Sequence, residues 1–351
     1  MLRVGFIGAG RISDLHALEY RQNDRAQLVA VCDVDQETAQ RRAAAWNVPP
    51  DRVFTNHHDL LALPDLDLVE ILLPHHLHHP ITLDALAAGK HVSVQKPMAL
   101  SLAHAGEMIA AAETAQKTLR VYENFIFYPP VVHAKALIDA GEIGDPLTIR
   151  IKSNAGFSPT AWHVPLAAWA WRFNQETCGG GPMLFDDGHH KFALAWHFMG
   201  LAEEVHAYIG AMELTPGRVL DTPAIVSWKF PNNRLGSLEV VYSPQLQIET
   251  SYYAQDDRIE ITGTRGVIWI NGGHGRLSHA PPVTLARDGR TRTFDDIPTG
   301  WEQSFIHATR HLIDALHDGT PPRLTGDEGR TILRSLLAAH HSASTGRSVC
   351  L

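Results

Sequence analysis

The sequence predicts an α/β protein in two parts: a doubly wound parallel sheet first, then an α/β domain built on a large, mostly antiparallel sheet. Three observations predict it. Short apolar runs alternate with helix-like segments over the first third of the chain. A glycine-rich turn closes the first of these runs. Beyond about residue 125, strand-like stretches follow one another with few helices between them.

Residues 2–7, 28–32, 67–73, 91–95 and 119–122 read as strands, and residues 12–21, 36–46, 81–88 and 102–116 as the helices between them. Strands separated by helices require crossovers, which are right-handed and give a parallel sheet. Gly89 and Lys90 end one helix, with a glycine past the last turn and a cation at the negative end of the dipole. Pro129 and Pro130 introduce a helix over 131–140 that stops at Gly141. Residues 147–151, 225–230, 236–242 and 259–261 then read as strands, and the turn Gly263-Thr264-Arg265-Gly266 leads into 267–270 as a hairpin. Residues 305–317 and 327–341 read as closing helices. The domains expected are 1–122 and 123–351.

Composition narrows the function. The 351 residues carry 30 Lys+Arg against 38 Asp+Glu, a net charge of −8 without long basic runs, which argues against nucleic-acid partners. No stretch of ~20 apolar residues is present, so no membrane-spanning helix is expected. The strand pattern starts at Leu2 and leaves no room for a signal peptide. Cys32, Cys178 and Cys350 are dispersed, which suits a reducing cytoplasm and supports neither a disulfide framework nor a thiolate zinc site. Histidine is unusually frequent, 22 residues with several doublets, and composition alone does not say whether these carry chemistry.

Gly8-Ala9-Gly10-Arg11-Ile12-Ser13 lies between the first strand and the first helix. Gly8 and Gly10 allow a tight turn whose N–H groups, with Arg11 and Ile12 at the helix start, approach a pyrophosphate. Ser13 stands where a third glycine is usual and is small enough for close helix–strand packing. Asp33 ends the second strand 20 residues after Ser13, placed to accept hydrogen bonds from an adenosine ribose. Its carboxylate would repel a 2′-phosphate, so NAD is favoured over NADP.

The ordered motifs Gly8-Ala9-Gly10, Pro74-His75-His76-Leu77-His78, Gly89 to Pro97, Gly179-Gly180-Gly181 and Asp186-Asp187-Gly188-His189-His190 resemble the glucose–fructose oxidoreductase / inositol dehydrogenase / rhizopine-catabolism (Gfo/Idh/MocA) family. The resemblance spans essentially the whole chain. It implies an N-terminal Rossmann domain, a C-terminal α/β domain whose open sheet makes homodimer or homotetramer contacts, and NAD(P)-dependent redox chemistry on a sugar or cyclic polyol. The family's Glu-Lys-Pro motif falls on Gln95-Lys96-Pro97, with glutamine as a departure. Its Asp-x-x-x-His motif falls on Asp186 and His190, and its Thr-Pro-Asn-x-x-His segment on 73–78. There His78 matches, while Leu73 and His75 replace threonine and asparagine. Pro74, His75, His78, Gln95, Lys96 and Asn124 are implied to line the cofactor.

Oxidising a secondary alcohol requires removal of the hydroxyl proton as hydride leaves carbon. Histidine, with an ordinary pKa of ~6.5, is a competent base at pH 7, whereas lysine at ~10.4 stays protonated. His190 is therefore the expected base, Lys96 the cation that holds the oxygen, and Asp186, four residues before His190, the carboxylate that orients it. Asp187 with Lys191 is the alternative (i, i+4) pair, which could equally be a surface ion pair. Lys96, Asn124, Trp162, His163, Arg172, Asp186 and His190 are the substrate-side candidates. Trp162, Trp169 and Trp171 could instead fill a core. Arg172 and Lys191 hint at an anionic substrate such as a uronate. His75, His76, His78 and His79 could be read as a metal cluster, but no acidic partner is nearby and no metal is expected. The reading is a cytoplasmic NAD-dependent dehydrogenase acting on a cyclic sugar, sugar acid or inositol. The alternatives are NAD-assisted glycoside cleavage, a reductase of sugar-nucleotide or tetrapyrrole pathways, and a non-catalytic cofactor-binding sensor.

Overall fold

The computed structural model describes the backbone of residues 1–351 and every side chain except those of Leu166 and Ala167. The chain divides into two compact units, one of residues Met1–Glu123 with Phe305–Leu333 and one of Asn124–Ser304 with Arg334–Leu351.

The first unit is built on six parallel strands: β1 (Leu2–Ile7), β2 (Ala26–Cys32), β3 (Val53–Phe54), β4 (Leu68–Ile71), β5 (His91–Gln95) and β6 (Leu119–Tyr122), in the order β3-β2-β1-β4-β5-β6. This is the Rossmann strand order, reversing direction between β1 and β4. The central strand β4 and the edge strand β6 are both buried at every position, as parallel strands covered on both faces must be. Helices α1 (Ser13–Tyr20), α2 (Gln36–Ala45), α3 (His57–Leu61), α4 (His78–Ala87) and α5 (Leu102–Ala115) connect them. Local chemistry sets their ends. Asp35 caps α2 by accepting from Glu37 N–H, and Ser101 caps α5 through His104 N–H. Gly89 follows α4 at φ +71°, as its sequence position predicts. Lys90 departs from expectation: its buried ammonium donates to the carbonyls of Leu63 and Leu66, beyond the end of α3, at 2.9 and 3.0 Å.

Two side chains on β6 explain why a segment from the far end of the chain completes this unit. Arg120 donates to Ala308 O at 2.7 Å, and Tyr122 Oη bonds Phe305 O and Thr309 Oγ1, each at 3.1 Å. Both are fully buried, so they need partners that only the helix Trp301–Asp318 supplies.

The second unit begins with α6 (Pro129–Asp139) and carries a nine-stranded mixed sheet. Its strands are β7 (Pro146–Phe157), β8 (Glu204–Ile209), β11 (Ala224–Phe230), β12 (Arg234–Gln247), β13 (Gln255–Gly263), β14 (Gly266–Asn271), β15 (Val283–Arg287), β16 (Arg290–Phe294) and β17 (Val349–Cys350). A separate short hairpin pairs β9 (Met212–Thr215) with β10 (Arg218–Leu220). The large sheet runs β16-β15-β14-β13-β7-β12-β11-β8-β17, antiparallel except for the central pair β7–β12. The expected hairpin is β13–β14. Along β11, buried and exposed positions alternate strictly. Trp228 on the buried face packs edge-on against Phe192 of the helix His189–Met199 and donates to Ser335. The other face exposes Tyr208 and Ile225, opposite one another in register, together with Leu235. Among the described residues, no helix is long and apolar enough to cross a membrane.

Candidate active site

In the first unit the glycine turn fits a dinucleotide. Gly8 adopts φ +100°, and a Cβ there would sit 2.4 Å from Leu72 O, so only glycine allows this turn beside β4. Around Gly10 a Cβ would meet nothing within 4 Å, which leaves room for a phosphate against the backbone. No side chain caps the first turn of α1: the N–H groups of Ser13, Asp14 and Leu15 turn back to the carbonyls of Gly10, Arg11 and Ile12, and the positive end of the helix dipole faces the glycine turn. Ser13 is fully buried and its hydroxyl turns back to Gly10 O at 2.5 Å, consistent with close packing at the third fingerprint position. Asp33 holds the turn from the side: Oδ2 accepts from Ala9 N–H at 2.7 Å and Oδ1 from Asp35 N–H at 3.0 Å. Each oxygen retains a second lone pair for a ribose hydroxyl. Arg42 reaches Ala9 O but is held by both oxygens of Asp14 at 2.5 Å, so its charge is balanced rather than offered to a 2′-phosphate.

The 73–78 segment forms a short 3-10 turn, His75–Leu77, introduced by Pro74. His78 is buried with Nδ1 2.8 Å from Pro97 O and Nε2 2.8 Å from Leu73 O, which ties the end of β4 to the residue after Lys96. Burial, foremost, with His75 and Lys96, pulls this imidazole down to about 3, against the two carbonyls that favour its protonated form. His75 is buried with its ring 5.6 Å from that of His78, whereas His79 bonds Glu107 and stacks on His104. These histidines serve different partners. Elsewhere, His57 of another doublet bonds Asp84 at 2.9 Å. Lys96 is nine-tenths buried, and its backbone N–H donates to Gln95 Oε1 at 2.7 Å.

The second unit holds Asp186 and His190 side by side in sequence but in different elements. Asp186 lies in a π-type turn, Pro182–Asp187, and His190 in the first turn of the helix His189–Met199. Both are buried. The turn hangs from a residue the sequence reading missed, Asp221: its two carboxylate oxygens accept from the N–H groups of Met183, Leu184 and Phe185 at 2.7, 2.7 and 3.0 Å. A Cβ at Gly181 would come within 2.4 Å of that carboxylate, so the glycine run is what lets Asp221 approach. The His190 ring lies 4.6 Å from Phe125 and 6.4 Å from His274.

Asp186 accepts from Arg172 Nε at 2.5 Å, and the Arg172 guanidinium lies over Trp169 and Trp171, 5.2 and 4.4 Å from their ring centroids. Trp162 packs edge-on with Tyr252, Tyr253 and Trp301, while His163 is exposed. Asn124 is buried and donates to Ser304 at 2.8 Å. The alternative pair, Asp187 with Lys191, is no surface ion pair. Lys191 is fully buried, 3.1 Å from Asp187 and 2.9 Å from Asp257, with its ammonium over the Phe125 ring. Burial would lower its pKa, but the two carboxylates outweigh this and raise it. Gln255 completes the cluster, donating to Asp187 at 2.6 Å and to Ser153 at 2.8 Å. Lys191, enclosed by two carboxylates, is not placed to meet a substrate, and Arg172 gives its Nε to Asp186.

Two family models match the chain, one after the other in sequence. Residues 2–123 match the model of an oxidoreductase family with an NAD-binding Rossmann fold (GFO_IDH_MocA), and residues 135–351 match its C-terminal alpha/beta domain. The chain is 26% identical over 354 residues to myo-inositol 2-dehydrogenase of Thermotoga maritima, covering 100% of this chain and 98% of that protein. It is likewise 26% identical over 354 residues to D-apiose dehydrogenase of Paraburkholderia graminis, covering 98% and 88%. An oxidoreductase from Agrobacterium radiobacter, solved in complex with NAD+, L-tartaric acid and magnesium, matches the fold with a TM-score of 0.86 at 22% identity, over 99% of this chain and 98% of that one. With both domain models matched and the glycine turn built to receive the dinucleotide, the chain belongs to the Gfo/Idh/MocA family of NAD-binding oxidoreductases.

Proposed function

We propose that this oxidoreductase is a dehydrogenase acting reversibly at a secondary hydroxyl carbon of a neutral cyclic polyol or sugar. The observation that carries this reading is buried Asp186, four residues before a buried His190 and paired with half-buried Arg172, in a chain whose other unit buries Lys96 just past β5. The names of its relatives, an inositol dehydrogenase and an apiose dehydrogenase, support the substrate class. Gly8, Gly10, Arg11, Ile12 and Asp33 would hold NAD, with Pro74, His75, His78, Gln95 and Asn124 toward its nicotinamide end. When bound, NAD supplies the hydride acceptor.

His190 takes the hydroxyl proton as the carbon–hydrogen bond breaks, and Lys96 donates a hydrogen bond to the same oxygen, stabilising its alkoxide character. Asp186, fixed by Arg172 and by the Asp221-anchored turn, sets the orientation of the histidine and balances the charge it gains. Trp162 offers an aromatic face to the apolar side of a sugar ring. Subunits associate as a dimer or tetramer through the sheet face bearing Tyr208, Ile225 and Leu235.

The test is NADH formation across a panel of inositols, pentoses, hexoses and uronates. A neutral polyol or sugar should turn over, and His190→Ala and Lys96→Met should each lower kcat by about 10²–10⁴-fold. Wild-type turnover in His190→Ala removes histidine as the base, and activity confined to uronates removes the neutral substrate class. Sedimentation of the wild type and of Ile225→Glu checks the sheet contact.

A further inference from the structure

One face of the parallel sheet carries polar side chains in a row. Glu70 on β4 pairs in register with Ser93 on β5, Ser93 with Arg120 on β6, and Gln95 with Tyr122. Residues two apart on a strand share a face, so all five lie on one side of the sheet. Helix α1 covers them. Tyr20 donates to Glu70 Oε1 at 2.8 Å, and the His16 ring lies 3.9 Å from that of Tyr122 and 5.3 Å from that of Phe305. Arg120 sits over the Tyr122 ring at 4.6 Å. Glu70, His16 and Arg120 are fully buried.

The bonds along this row have only one consistent polarity. Lys96 N–H can only donate, and it meets Gln95 Oε1 at 2.7 Å. The amide nitrogen of Gln95 can also only donate, and it faces His16 Nε2 at 3.0 Å. His16 Nε2 must therefore present a lone pair, which places the ring proton on Nδ1. Nδ1 in turn donates to Glu70 Oε2 at 2.5 Å. Carboxylate, Nδ1–H imidazole, amide and backbone N–H form a chain in which each contact joins one donor to one acceptor.

We propose that Gln95 is a positioning residue for Lys96. Through Gln95 and His16 the Lys96 peptide is tied to α1, the helix opened by the glycine turn, and the amide of Gln95 holds His16 as the Nδ1–H tautomer beside Glu70. This rests on the reading of Lys96 as the donor to the reacting oxygen. A glutamate at 95 would still accept from Lys96 N–H, but it would turn a second carboxylate oxygen toward His16 Nε2. The ring would then take up a proton and stand as an imidazolium between two carboxylates.

Nitrogen-15 spectra of the intact protein with NAD added, labelled at histidine and assigned with His16→Gln, read the tautomer directly. Wild type should show His16 protonated at Nδ1 and bare at Nε2, and Gln95→Glu should show both nitrogens protonated. Gln95→Met, close in shape but unable to bond either neighbour, should lower kcat about tenfold. A proton on Nε2 in the wild type overturns the network. So does wild-type kcat in a Gln95→Met protein with the wild-type melting temperature. Wild-type turnover in Lys96→Met instead overturns the catalytic reading of Lys96, and with it the role of Gln95 in catalysis; the tautomer signature tells the two failures apart.

Discussion

The two units fix their candidate site residues by different electrostatics. In the first, Lys96 is held through a chain of directional bonds in which a neutral amide and an imidazole separate it from the nearest buried carboxylate, Glu70. In the second, the surroundings of His190 are charged: Asp221 gathers three backbone N–H groups, and Lys191 stands between Asp187 and Asp257. A directional chain loses little when one member is replaced by another of matching donor pattern. A buried charge cluster tolerates no single deletion, because what remains is an uncompensated charge.

The largest effect should come from breaking that cluster. Lys191→Met leaves buried Asp257 facing part-buried Asp187 with no cation between them and should cost about 3–5 kcal/mol of stability, read as a lowered denaturant midpoint. The triple change Asp187→Asn, Lys191→Met, Asp257→Asn should recover much of the loss. A single variant as stable as wild type would mean that the charges are not paired as described. Next, Asp221→Ala strands three N–H donors and should cost about 2–3 kcal/mol, with a fall in kcat as the turn bearing Asp186 loosens. Melting and turnover measured together test this, and loss of stability with kcat intact would separate the turn from catalysis.

On the first unit the effects are smaller and fall on binding. Asp33→Ala removes both the anchor of Ala9 N–H and the ribose acceptor, and should weaken NAD about tenfold by calorimetry while narrowing the preference over NADP. The smallest effect concerns Asp256 on β13, whose carboxyl burial pushes up to about 6, against its bond from Leu277 N–H. A carboxyl raised in the folded state binds its proton more tightly there than in the unfolded chain, where its ordinary value is 3.8. Its cost is therefore absent below about pH 4 and grows as pH rises through about 6. Asp256→Asn should stabilise the protein by about 1 kcal/mol at pH 8 and by nothing near pH 4, and thermal melts at the two pH values decide it.

Much of the fold was legible because its signals are local. Apolar strands bounded by helices declared the parallel sheet, and Gly8, Ser13 and Asp33 stand where close approach, packing and the anchoring of Ala9 N–H require them. The site residues that escaped notice are those whose partners lie far along the chain. Asp221 acts on a turn about forty residues earlier, and His16, Glu70 and Gln95 come from three separate elements with no common spacing. The burial of Lys191 was hidden for a related reason: an (i, i+4) pair reads alike on a solvated helix and on one that faces Asp257 across the fold. Nor does any sequence pattern announce that Arg120 and Tyr122 take their partners from residues 305–309.

That last contact sets an order of events on the ribosome. The strands of the first unit are made first, yet the helix that buries Arg120 and Tyr122 is encoded after the whole of 124–304. At ordinary synthesis rates the six-stranded sheet waits about 10–40 s for its cover. During that interval the sheet face bearing Arg120 and Tyr122 lacks the partners that residues 305–309 supply. Its buried arginine becomes an asset there, because a charged, hydrated face resists sticking to other nascent chains until residues 305–333 emerge to close it.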